Sequence, residues 1–99
     1  MACIIGMLTL SLFNADFAIT NLNTIEVYPC VAFANNQYYV FWTDYRNSSS
    51  YMYALYGARV SATGTVIDLN GKFQFQDSCF TPAVAYDGTN FLVVWREGC

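Results

Sequence analysis

The chain has 99 residues, of which 56% are hydrophobic, 18% aromatic and only 11% charged, enough for one well-filled core and the reverse of a disordered composition. A net charge of −3 and four scattered basic residues, Arg46, Arg59, Lys72 and Arg96, exclude a nucleic-acid surface, which needs clustered positive charge. Histidine is absent, which removes the commonest general base, the Ser-His and Cys-His nucleophile pairs and the commonest zinc ligand.

Residues 1–18 open with the apolar run Ile4-Ile5-Gly6-Met7-Leu8-Thr9-Leu10-Ser11-Leu12-Phe13 and reach Ala18 through Asn14-Ala15-Asp16. The run is too short for a membrane span, which needs about 20 residues. It has the length of a secretory signal's apolar region, although no Lys or Arg precedes it and Asp16 sits where a small neutral residue is preferred. A buried strand belonging to a preceding unit is the competing reading. The division expected is therefore 1–18 and 19–99.

From Pro29 the chain repeats itself. Pro29-Cys30-Val31-Ala32-Phe33-Ala34-Asn35-Asn36-Gln37-Tyr38-Tyr39-Val40-Phe41-Trp42 aligns without a gap with Pro82-Ala83-Val84-Ala85-Tyr86-Asp87-Gly88-Thr89-Asn90-Phe91-Leu92-Val93-Val94-Trp95, at a constant offset of 53 residues. Each copy reads as a hairpin, with a first strand at Val31–Phe33 or Val84–Tyr86 and a second at Tyr38–Trp42 or Phe91–Trp95. Asn35-Asn36 and Asp87-Gly88 supply the turns, since Asn and Gly tolerate positive φ. Each proline is expected at the start of a first strand, where its missing N–H breaks no ladder bond. In the second strands both alternating faces are apolar, so both need cover. Val31, Val40, Trp42, Val84, Val93 and Trp95 are the expected repeat core.

Between the copies, Arg46-Asn47-Ser48-Ser49-Ser50 reads as a polar loop and Tyr51–Val60 as a third strand, with Gly57 marking a bulge or a close approach. Ser61-Ala62-Thr63-Gly64 and Asp68-Leu69-Asn70-Gly71 are turns, and Phe73-Gln74-Phe75-Gln76 alternates like a half-exposed strand. No amphipathic helix is evident. The fold expected is all-β, with antiparallel sheets stacked face to face.

These motifs, with Tyr56-Gly57-Ala58-Arg59-Val60 and Gly64-Thr65-Val66-Ile67-Asp68 between the copies, resemble the tandem β-propeller blade repeats of secreted or surface-attached bacterial proteins. The resemblance spans Pro29 to Trp95. It implies blade-like repeats, about one and a half of them, in an extracytoplasmic setting, and it implies no activity. A propeller closes with about 4–8 blades, so further blades of a longer chain or a homo-oligomer are implied as neighbours.

The four cysteines, Cys3, Cys30, Cys79 and Cys99, have no metal-ligand spacing. Cys30 and Cys79 are the pair to test for a disulfide; buried free thiols are the alternative. Asp44 and Glu97 each follow a repeat tryptophan by two residues, and such repetition favours a structural contact over an asymmetric catalytic pair. Asp68-Leu69-Asn70-Gly71 faintly echoes a calcium loop but lacks its distal acid. Asn47-Ser48-Ser49 has the form of a glycosylation acceptor. Tyr45, Tyr51 and Tyr53, beside the polar loop, are the aromatics expected to meet a ligand. No catalytic, cofactor or metal residue is assigned. The function expected is a non-catalytic scaffold, binding or adhesion module for protein or carbohydrate. A fragment of a secreted carbohydrate-active enzyme and a self-associating β-module are the alternatives.

Overall fold

In the computed structural model, which describes residues 3–4, 7–12, 15–46, 53–76 and 80–96, the chain is all-β and antiparallel, with no helix among the described residues. None is therefore long and apolar enough to cross a membrane. Strands β1 (Cys3–Ile4), β2 (Met7–Leu12) and β3 (Ala15–Thr20) form a three-stranded sheet in that order. Strands β4 (Glu26–Ala34), β5 (Gln37–Asp44), β6 (Ala54–Ser61) and β7 (Lys72–Gln76) form a four-stranded meander. Strands β8 (Phe80–Tyr86) and β9 (Phe91–Arg96) form a two-stranded hairpin.

The turn chemistry explains the connections. Asn35 and Asn36 both take positive φ, 53° and 60°, as a two-residue hairpin turn of the twist-matched type requires. At the equivalent turn Gly88 has φ 102°, and the Asp87 carboxylate accepts from the Thr89 and Asn90 N–H groups at 2.9 and 2.8 Å. Those two bonds, to Asn90 and Thr89, hold the Asp87 carboxyl below its ordinary pKa.

The prolines lie elsewhere than expected. β4 and β8 begin before them, and each proline sits in a bulge, with register shifts between Val27 and Cys30 and between Phe80 and Ala83. The residue before each proline carries positive φ, 56° at Tyr28 and 45° at Thr81. A bulge leaves a residue unpaired, which tolerates the missing N–H as well as a strand end does. The same irregularity therefore falls at the same repeat position in both hairpins.

β4–β7 lies between the other two sheets. Phe17 and Ile19 of β3 pack against Val40, Trp42, Ala54, Tyr56, Ala58 and Val60, which share one face through the pairs Val40↔Ala58 and Trp42↔Tyr56. The opposite face meets the β8–β9 hairpin, with Tyr39 and Phe91 ring centroids 4.3 Å apart and Phe75 and Trp95 centroids 5.3 Å apart. Burying these side chains stabilises the stack by roughly 1.5–3 kcal/mol for each large one fully covered.

Gly57 is a close approach. A Cβ there would lie 2.8 Å from Phe41 Cδ1, because its cross-strand partner Phe41 folds its ring over the glycine. The register shift in this part of the sheet falls instead between Leu55 and Tyr56, on the β7 side.

The repeat core divides. Val40 and Trp42 are buried, whereas Val84, Val93 and Trp95 are half-buried and Val31 is 49% exposed. Val31 falls outside the core although β1 and β2 approach β4, because the side chains that β3 supplies, Phe17 and Ile19, pack with Val40 and Trp42 instead. β9 likewise is not covered on both faces: Leu92 and Val94 are exposed, since only the side bearing Phe91, Val93 and Trp95 meets another sheet.

Candidate functional site

Two groups of side chains stand out at the end of β5. The first is a buried polar network. The Trp42 indole Nε1 donates to Asp44 Oδ2 at 2.8 Å, and Arg46 donates to Asp44 from its backbone N at 2.8 Å and from Nε and Nη2 at 2.9 and 2.8 Å. Arg46 Nη2 also donates to the Asn70 carbonyl at 2.6 Å, and its guanidinium carbon lies 3.8 Å from the centre of the Tyr56 ring. Burial works against the Arg46 charge, but the bonds to Asp44 and its charge, with Tyr56 and Glu26, hold the guanidinium above its ordinary pKa.

Glu26, opposite Asp44 in the β4–β5 ladder, is fully buried and accepts from Thr20 Oγ1 and Thr24 Oγ1, both at 2.8 Å. Like charges placed opposite each other repel, and Arg46 offsets that repulsion. Asn70 completes the network: its N–H donates to the Ile19 carbonyl and its Oδ1 accepts from the Asn21 N–H, both at 2.9 Å. Asp44 is thus saturated by hydrogen bonds within its own sheet. Its repeat equivalent, Glu97, lies outside the described residues.

The second group is aromatic. Tyr45 and Tyr53 stack with ring centroids 4.1 Å apart and planes inclined by 25°. Both are half-buried, and the backbone of Tyr45 is fixed by its N–H bond to the Ile25 carbonyl at 2.9 Å. Burial pushes the Tyr45 phenol above its ordinary pKa, and the nearby Tyr53 and Tyr28 hydroxyls add to the shift. Tyr28, exposed at the β4 bulge, is a member that sequence reasoning missed. Only a prediction of the bulge at Pro29 would have brought it here. Tyr51 lies outside the described residues.

Asp68 is not arranged for a cation. It accepts from the Arg59 N–H at 3.0 Å and from Nε and Nη2 at 2.9 and 3.1 Å, which lowers its pKa, chiefly through the side-chain bonds. Among the described residues no three His, Cys, Asp or Glu side chains gather where they would hold a metal. Cys30 is a half-buried free thiol whose pKa is raised by burial against a lowering backbone bond from Phe41, and Cys79 lies outside the described residues.

A groove of about 260 Å³, floored by Tyr39, Phe41 and Gly57 and rimmed by Arg59, Asp68 and Lys72, opens on the β8–β9 side of the meander. It falls just below the ~300–1,000 Å³ of small-molecule sites, and a shallow groove of about 330 Å³ lies at the β8–β9 turn beside Tyr86, Asp87 and Phe91. Comparison of the chain with protein-family models, with curated proteins and with solved structures finds no match.

Proposed function

We propose that this chain is a non-catalytic, extracytoplasmic β-repeat module of blade-like units, acting as a scaffold with a binding surface for protein or carbohydrate. The observation that carries the reading is the Tyr45–Tyr53 stack, half-buried and placed beside exposed Tyr28. Rigid tyrosines provide large amphipathic contact area at low entropy cost, and the nearest carboxylates, Asp44 and Glu26, are engaged in holding strands together. Recurrence of the proline bulge and the cross-strand aromatic pair supports the blade-like reading.

The test is binding of the purified chain to glycan and peptide arrays, repeated with Tyr45→Ala and Tyr53→Ala. Loss of the bound class at least tenfold in both variants, with the β-sheet circular dichroism spectrum retained, is the expected result. Retention of full binding in both removes the tyrosines from the surface, and conversion of a bound glycan to product overturns the non-catalytic reading.

A further inference from the structure

The two copies of the repeat contain the same aromatic pair in different surroundings. Phe33 and Tyr38 have ring centroids 4.9 Å apart, and their equivalents Tyr86 and Phe91 are 4.7 Å apart. In the second copy the pair is capped: Tyr39 lies 4.3 Å from Phe91, and Val84 and Tyr86 are half-buried. In the first copy the same positions are open, with Val31 49% and Phe33 53% exposed.

The capping side chains recur as well. Tyr39 and Phe41, on the face of β5 that meets β8–β9, correspond in the repeat to Leu92 and Val94. These two are 65% and 51% exposed. The contact inside the molecule therefore uses one capping face and one receiving face, and an unused counterpart of each remains at opposite sides of the stack. Isolated exposed apolar residues need no explanation, whereas paired apolar faces left open mark an interaction site.

We infer that the occupant of the open Val31–Phe33 face is a second copy of this chain, which presents Leu92 and Val94 of its own β9. The chain already contains the bound form of this interface, in the seating of β4–β5 on β8–β9. The half of the receiving face around Trp42 is already covered by β3 through Ile19, as β7 covers Trp95 through Phe75. A visiting β8–β9 hairpin therefore lies alongside β1–β3 and completes a layer like β4–β7. Because the two surfaces differ, the contact is head-to-tail, and it gives rings or open filaments according to whether the rotation closes. This inference stands independently of the tyrosine surface.

Sedimentation across a dilution series, with circular dichroism as the folding control, tests it. The unsubstituted chain is expected to form multi-chain species that dissociate on dilution. The pair Leu92→Lys with Val94→Lys is expected to sediment as single chains, as is the pair Val31→Lys with Phe33→Lys. An equimolar mixture of the two variants retains one intact capping face and one intact receiving face, so it should give two-chain species and nothing larger. If lysine unfolds the hairpin, threonine at the same positions preserves strand propensity and makes the same test. A chain that stays single at every concentration overturns the inference, and so does a variant mixture that remains as single chains.

Discussion

The Trp42 indole donates to the Asp44 carboxylate from two positions back along the same strand, at 2.8 Å. Side chains two apart on a strand share a face, so the largest apolar group of the core and its buried acid are oriented by one another. Asp44→Asn leaves the shape and removes the charge that balances Arg46. Breaking a buried charge pair costs about 3–5 kcal/mol, and the partial exposure of Arg46 places the expected loss near the lower figure. Trp42→Ala should cost roughly 3–5 kcal/mol as a large-to-small core change. Because the two residues are bonded, the double variant should lose less than the sum. Urea midpoints of the three variants check this, and an unchanged midpoint for Asp44→Asn would contradict the assigned network.

Gly71 and Gly88 form a matched pair of turn glycines. Both have positive φ, 77° and 102°, but a Cβ at Gly71 would collide with Trp42 Cζ2 and Cη2, whereas at Gly88 it would meet nothing. Gly88→Ala should cost only backbone strain, about 1 kcal/mol. Gly71→Ala adds displacement of the Trp42 ring and should cost at least about 2 kcal/mol. Comparison of the two melting temperatures makes the measurement, and equal losses would remove the steric role assigned to Gly71.

The Asp68–Arg59 pair predicts a pH dependence. The folded-state pKa of Asp68 is lowered, chiefly by its side-chain bonds to Arg59. Its contribution is therefore present above the unfolded carboxylate value of about 3.9 and is lost as pH falls through the lowered folded value. The pair is solvated on the Arg59 side and screened by water, so the effect should be small. Asp68→Asn should flatten stability against pH in that acid window and leave its slope near neutrality unchanged.

Tyr45 should titrate late. Burial and the neighbouring Tyr53 and Tyr28 raise its pKa, so the fold resists the phenolate and loses stability as pH rises above the ordinary tyrosine value of about 10. Tyr53→Leu removes one of the two phenolic neighbours and should move the Tyr45 transition downward in a phenolate absorbance titration. An unmoved transition would mean that Tyr53 contributes nothing to the shift, leaving burial and Tyr28 to set it.

The hairpins, the meander between them and the absence of helix follow from local chemistry: β-branched and aromatic runs broken by Asn, Asp and Gly turns. The bulges at Tyr28-Pro29 and Thr81-Pro82 were not legible, because a proline states only that no N–H is available and not how the ladder avoids needing one. Exposure of Val31 was equally hidden. Its local sequence matches that of Val84, and the difference arises from which sheet lies opposite each. Within the site, Tyr45 and Tyr53 were marked by position beside a polar loop, while their stacking depends on β5 and β6 pairing as Asp44↔Ala54. The Arg46–Asn70 bond joins residues that local pattern cannot relate.

The repeat also places its two tryptophans in unequal environments, Trp42 sealed from solvent and Trp95 half open. Indole emission shifts to longer wavelength as its surroundings become wetter and more mobile. The chain thus contains an intrinsic pair of optical reporters, one at the centre of the stack and one at its outer hairpin. Replacing each in turn with phenylalanine would separate their signals, and loosening of the outer hairpin could then be followed apart from melting of the middle.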